Sequence, residues 1–167
     1  MKQSITGYFS KGEWLLWGGS VCGILLAFLA FDRESWMTLA ASLIGVTSLI
    51  FNAKGNPAGQ ALIILFSLLY GAISYSFAYY GEMITYLGMS APMAVFALIS
   101  WLRHPYQGNR SQVQVNQITR NEVLCMLLLT GAVTLLFYFI LRYFHTANLL
   151  PSTISVTTSF LAVYLTF

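Results

Sequence analysis

Long apolar runs alternate with short polar breaks along most of this chain. Trp14 to Phe31 predicts a first helix, stopped by the charged stretch Asp32-Arg33-Glu34-Ser35. Trp36 to Phe51 predicts a second, ending at Asn52-Ala-Lys-Gly55, where the glycine can take the left-handed conformation that closes a helix. Asn56-Pro57 has the form of an N-cap followed by proline at the first helical position, and opens a third helix running to Tyr80. Gly81 is the expected break, and a fourth helix follows from Glu82 to about Leu102. Pro92 lies inside it and offers no N–H to the Gly88 carbonyl, so a kink and a hinge are expected there.

The stretch from Arg103 to Arg120 is the longest polar segment. Asn109, Gln112, Gln114, Asn116 and Gln117 make it aqueous, and the alternation of Val113 and Val115 with polar residues predicts a short extended piece. Thr119-Arg-Asn-Glu122 is a capping box that opens a fifth helix, running to about Tyr143. Arg142, His145 and Asn148 mark the next turn. A sixth helix is expected to begin between Ala147 and Pro151 and is still apolar at Phe167.

Composition turns these helices into membrane spans. Hydrophobic residues make up 57% of the 167 residues and charged residues 8%, against about 25% charged in a soluble domain. At about 20 residues per span, the chain has room for six spans and no separate soluble domain. It reads as one all-α integral-membrane domain over residues 1–167. The net charge of +3 reflects eight Lys and Arg spread over the polar breaks, which excludes a nucleic-acid partner and leaves the lipid bilayer as the surrounding phase. Lys2, Lys11, Lys54, Arg103, Arg110 and Arg120 fall on one side and Arg33 and Arg142 on the other. The positive-inside rule then places the N-terminus in the cytoplasm of a multi-pass protein, expected in a bacterial inner membrane. Cys22 and Cys125 lie within apolar runs and are expected to be buried small hydrophobes. Met1 to Glu13 is polar and no Ala-x-Ala site follows the first apolar run, so no cleavable leader is expected.

Helix 2 contains Ser42-Leu-Ile-Gly-Val-Thr-Ser48 and helix 6 contains Ser152-Thr-Ile-Ser-Val-Thr-Thr158, identical at four of seven positions with an offset of 110 residues. Helices four spans apart cross in the same direction. A duplication would therefore be parallel. Residues 36–102 would form a first three-helix bundle, 14–31 an extra N-terminal helix, 120–145 a linker helix and 147–167 the first helix of a second bundle. The unbroken apolar run at Phe167 leads to the expectation of a C-terminally truncated chain.

No hydrolase triad, phosphate-binding loop or metal-ligand spacing is present, so neither an enzyme nor a metal or other cofactor is expected. His104 and His145 stand at helix ends, as structural residues. No charge falls near the middle of a span, so a buried proton relay is not supported. What remains is a neutral interior of hydroxyls, amides and rings. Ser67, Tyr70 and Ser74 share one face of helix 3 by their spacing, with Tyr75 beside them. Asn52 and Gln60 flank the turn between helices 2 and 3, Tyr86 and Ser90 follow on helix 4, and Trp101 ends it. Such a lining suits a neutral or zwitterionic aromatic solute. Against it stand ordinary roles: serines in membrane helices bond their own i−4 carbonyls, tryptophans anchor at the interface, and Glu82 complements a helix N-terminus.

The run Ile73-Ser-Tyr-Ser-Phe-Ala-Tyr-Tyr-Gly-Glu-Met83 resembles the segment ending in Tyr-Gly-Glu-Met of the PnuC family of bacterial vitamin transporters. Pro92-Met93 through Trp101-Leu-Arg-His104 is similar to that family's helix carrying Pro-Met-Gln-aromatic-x-Gly-Trp-x-x-Trp. The chain departs from the pattern at Ala94, Ala97 and Leu98 and keeps Trp101. The resemblance implies two parallel three-helix bundles joined by a linker, as in the SWEET sugar transporters, and two further helices beyond the six here. It implies uptake of nicotinamide riboside by facilitated diffusion, with trapping by a cytosolic kinase; relatives carry thiamine or riboflavin. Trp101, Tyr70, Ser67, Ser74, Asn52, Gln60 and Tyr86 are the expected substrate contacts, and Pro92 the hinge. A carrier of another vitamin or of a sugar on the same fold, a fragment without transport activity, and a homo-oligomer remain open alternatives.

Overall fold

The computed structural model of the protein describes residues 9–31, 33–106, 109–113, 118–145 and 149–165. Asp32, Gln114 to Gln117 (with Val115 of the expected extended piece), Ala147, Asn148 and Phe167 lie outside the described residues. The elements in chain order are α1 (Lys11–Phe31), α2 (Trp36–Ala53), α3 (Pro57–Ser76), α4 (Tyr80–Arg103), β1 (Pro105–Tyr106), β2 (Asn109–Val113), α5 (Arg120–Tyr143) and α6 (Leu149–Tyr164). The five helices α1 to α5 are long and apolar enough to cross a membrane; α6 has 16 described residues. Large side chains such as Leu16, Leu26, Leu128 and Phe139 are exposed on the outer faces of α1 and α5. In a water-soluble protein that surface would be a liability, and in lipid it is the expected exterior.

The turns follow local chemistry closely. At the end of α2, Asn56 N–H donates to the Phe51 carbonyl at 2.9 Å and Gly55 N–H to that of Asn52 at 2.8 Å. Gly55 has φ 64, so Phe51 to Asn56 closes α2 as a Schellman motif. Asn56 Oδ1 then accepts from Ala58 N–H at 2.9 Å, capping α3 with Pro57 at its start. The Thr119–Glu122 capping box opens α5 as expected. A second reciprocal pair, Ser10 with Glu13, starts α1 three residues earlier than the hydrophobic pattern placed it.

The expected break at Gly81 is displaced. α3 ends at Ser76, and Gly81 is buried within α4. The chain reverses at Ala78, which has φ 57, with Tyr79 N–H donating to the Ser74 carbonyl at 2.8 Å. The nearest glycine is the expected place for the break, whereas the fold puts alanine in the left-handed position and accepts its strain. The cysteines also differ from expectation: Cys22 and Cys125 are free of disulfides and exposed. In a chain surrounded by lipid, an apolar run is no guide to burial within the protein. His104 and His145 do end helices; His104 Nδ1 lies 2.9 Å from the Ser100 carbonyl, and His145 has φ 50 at the close of α5.

α3 lies between α2 and α4, and small residues set the spacing. A Cβ on Gly59 would stand 2.7 Å from the Asn52 backbone nitrogen, and one on Gly71 would stand 2.5 Å from Leu87 Cγ. α1 docks on α2 with Trp17 Nε1–H donating to Thr47 Oγ1 at 3.2 Å. α5 pairs with α6 through Thr134 and Thr157, whose hydroxyls are 2.9 Å apart. The α5–α6 pair meets α4 in a core of Met89, Phe137, Leu141, Val156 and Phe160. At one end of the molecule Lys54 Nζ pairs with Glu13 at 2.9 Å, and Val113 N–H donates to the Gly55 carbonyl at 2.9 Å. The start of α1, the α2–α3 turn and the β1–β2 hairpin thus gather at a common end, here called the hairpin end.

α4 is not uniformly α-helical. Thr85 to Ser90 form a π-helical segment, with Ala91 N–H donating back to the Tyr86 carbonyl. The distortion expected at Pro92 is therefore a widened turn on its N-terminal side. Proline has no N–H for the Gly88 carbonyl, and the chain just before it takes the i→i+5 register.

Candidate functional site

A cavity of about 800 Å³ lies among α2, α3, α4 and α6. Its lining runs from Gly55, Val113, Trp101 and Leu165 at the hairpin end to Gly45, Phe66, Ser67 and Tyr86 at its floor. On α3 it stops at Ser67, about midway along the helix, so it occupies the half of the molecule nearest the hairpin. That volume falls within the range of small-molecule pockets, about 300 to 1,000 Å³.

Five of the seven expected contact residues line it: Asn52, Gln60, Ser67, Tyr86 and Trp101. The Schellman turn and the close approach of Gly59 to α2 bring Asn52 and Gln60 together at its edge. Gln60 is 2% exposed and Ser67 is 0% exposed. Asn52 Oδ1, Gln60 Nε2 and Ser67 Oγ are buried with no hydrogen-bond partner among the described residues. Other hydroxyls behave as membrane-helix hydroxyls usually do: Thr47, Thr85, Thr130 and Thr153 each donate to the carbonyl four residues earlier. The three unpartnered atoms on the cavity wall therefore stand out, because a buried polar group left unmatched costs about 1 to 3 kcal/mol. Trp101 is buried and presents a ring at the hairpin end.

The remaining two expected contacts lie elsewhere. Tyr70 is half-buried behind the floor, its ring 4.8 Å from Tyr86 and 5.2 Å from Phe66. Ser74 is 1% exposed, one turn further along α3, also with its hydroxyl unpartnered among the described residues. Neither lines the cavity. The common face of Ser67, Tyr70 and Ser74 is real, but the cavity ends part-way along it. Tyr75, on the adjoining face, is exposed.

The sequence reading missed the α6 wall, with Ser159, Ala162, Val163 and Leu165, together with Gly45, Ser48 and Phe66. The internal sequence match carried the signal. Shifting Leu49, Asn52, Ala53 and Gly55 by 110 gives Ser159, Ala162, Val163 and Leu165, and all eight line the same cavity. Thr47 and Thr157, also 110 apart, each bond the helix that precedes their own.

Chemically the site is neutral. None of the described lining residues is Asp, Glu, Lys, Arg or His. A phosphate or carboxylate placed here would lose its water without gaining a cation. An aromatic ring with hydroxyl or amide groups would find ring faces, two amides and serine hydroxyls. No group of three His, Cys, Asp or Glu suited to a metal occurs among the described residues.

Comparison with known proteins places this geometry in a family. A family model described as nicotinamide mononucleotide transporter matches residues 35–167, beginning just after α1. The nicotinamide riboside transporter PnuC of Neisseria mucosa is 26% identical over 115 residues, covering 68% of this chain and 43% of that protein. The chain thus spans less than half the length of that curated relative. A crystal structure of the vitamin B3 transporter PnuC superposes with a TM-score of 0.77 at 21% identity, over 95% of this chain and 68% of the other. The fold is that of this transporter, and the match over residues 35–167 makes the chain a multi-pass membrane protein belonging to the nicotinamide mononucleotide transporter (PnuC) family.

Proposed function

We propose that this protein takes up nicotinamide riboside across the bacterial inner membrane by facilitated diffusion, with the solute held in the cavity at the hairpin end. The observation that carries the reading is the lining without charge among the described residues, with Trp101 and three buried polar atoms that have no partner among those residues. The riboside offers what they lack: ribose hydroxyls and a carboxamide to pair with Asn52, Gln60 and Ser67. Its cationic pyridinium ring suits the faces of Trp101 and Tyr86. The absence of any cation among the described lining residues favours the riboside over the phosphorylated mononucleotide. The name of the Neisseria relative, a nicotinamide riboside transporter, points the same way.

The architecture we assign is six spans. α2 to α4 are a first bundle, α5 a linker, α6 the first helix of a second, parallel bundle of SWEET type, and α1 an additional helix. The lining residues that recur at an offset of 110 support this repeat. The count of Lys and Arg supports a cytoplasmic hairpin end, and Pro92 with the adjoining π segment is the expected hinge.

The test is uptake of radiolabelled nicotinamide riboside by a strain lacking its own transporter and expressing this chain. Uptake that unlabelled riboside suppresses, and that thiamine, riboflavin and glucose do not, is the expected result. No uptake at normal membrane expression refutes transport by this chain; suppression by another vitamin or by a sugar transfers the reading to that solute.

A further inference from the structure

The cavity stops at a cluster of three rings. Phe66 and Tyr86 form part of its floor, and Tyr70 lies behind them. Their centroids are 5.2 Å (Phe66–Tyr70), 4.8 Å (Tyr70–Tyr86) and 5.8 Å (Phe66–Tyr86) apart. At this level Gly71 of α3 also packs directly against Leu87 of α4. Beyond it on α3 stands Ser74, which is 1% exposed with its hydroxyl unpartnered among the described residues. Ser67 is in the same state on the cavity side. The two serines are seven residues apart, which on an α-helix is about 10 Å along one face. Ser76, by contrast, donates to the Ala72 carbonyl at 3.0 Å, the usual way for a helix serine to satisfy itself.

Two buried, unsatisfied hydroxyls on one helix face, separated by packed rings, are not accounted for by packing. A core position of that size would be filled as well by alanine, without the desolvation cost. We propose that Phe66, Tyr70 and Tyr86 form an aromatic gate, shut in this structure, and that Ser74 is a second polar station on the far half of the same solute path. With the gate shut, Ser67 borders the cavity and Ser74 does not, although both hydroxyls are covered. Tyr86 and Leu87 both belong to the π segment of α4. A shift of that segment toward α-helical register moves Tyr86 away from Tyr70 and Leu87 away from Gly71 together, opening the path past Ser74. π-Helical turns are often placed at functional sites, where their register can change locally.

This inference rests on the transport reading, but its test is read without any transport. Cys22 and Cys125 are replaced by serine, and Ser67→Cys or Ser74→Cys is introduced singly. The reconstituted proteins are treated with a membrane-impermeant thiol reagent from the hairpin side. With the rings intact, Ser67→Cys reacts at least tenfold faster than Ser74→Cys. Adding Tyr70→Ala brings Ser74→Cys to within about threefold of Ser67→Cys, whereas Tyr70→Phe, which keeps the ring, does not. Tyr86→Ala serves as a second opening variant if Tyr70→Ala does not fold. Equal labelling of both positions with the rings intact overturns the gate. So does failure of a folded opening variant to expose Ser74→Cys. Nicotinamide riboside added at saturation is expected to protect Ser67→Cys; if it does not while the labelling pattern holds, the gate stands and the substrate reading falls.

Discussion

Ser67→Ala separates a ligand-binding hydroxyl from a merely structural one by the sign of two effects. Ser67 is 0% exposed and its Oγ has no partner among the described residues. Removing that oxygen breaks no hydrogen bond among the described residues and relieves a desolvated hydroxyl, a gain of about 1 kcal/mol at the low end of the usual range. For a chain of this size that raises the thermal midpoint by roughly 2 to 4 °C. In the complex, the hydroxyl that pairs with solute is lost, at about 0.5 to 1.5 kcal/mol or roughly 2- to 13-fold in Kd. The variant is thus expected to be more stable alone and to bind nicotinamide riboside more weakly. The assays are thermal unfolding in detergent without ligand, and isothermal titration with it. Thr134→Val is the control: it breaks the 2.9 Å bond to Thr157 and lowers the midpoint without touching the cavity. A fall in the midpoint of Ser67→Ala, or a rise with unchanged Kd, refutes the reasoning.

Other outcomes follow from the same geometry. Trp101→Ala removes a buried ring from the cavity wall and is expected to weaken riboside binding by roughly 2 to 3 kcal/mol, with Trp101→Phe intermediate, as read by titration. Gly59→Ala places a Cβ 2.7 Å from the Asn52 backbone nitrogen, so it should lower stability by about 1 to 3 kcal/mol in thermal unfolding and disturb the Asn52–Gln60 edge of the cavity. Ala78→Gly relieves the left-handed turn at φ 57 and should raise stability by about 1 kcal/mol in the same assay. A periplasmic phosphatase reporter inserted between Arg33 and Glu34 should be active, and one inserted at Lys54 inactive; the reverse pattern overturns the assigned orientation.

The candidate site was legible in kind more than in extent. Asn52, Gln60, Ser67, Tyr86 and Trp101 could be named because a polar or aromatic residue in an apolar span needs a reason, and each does line the cavity. Tyr70 and Ser74 share the helix face but fall outside it, since periodicity gives a residue's direction and not how far along the helix a cavity reaches. The α6 wall was hidden in Ala162 and Val163, whose chemistry announces nothing.

Local chemistry alone determined the membrane class, the capped starts of α3 and α5, and the close of α2 at Gly55. These depend on hydropathy and on hydrogen bonds within a few residues. It also pointed to Pro92 as the place where α4 departs from regularity, because a missing N–H is a property of one residue. Tertiary packing decided the rest. It placed a left-handed turn at Ala78 and kept Gly81 inside a helix. It widened Thr85 to Ser90 into a π segment, so that Met89 reaches the α5–α6 core while Tyr86 meets Tyr70. It also left Cys22 and Cys125 exposed. In a membrane an apolar side chain is equally at home against lipid or against another helix. Hydrophobicity therefore marks the spans, while small residues, unpaired polar atoms and shape decide which faces meet.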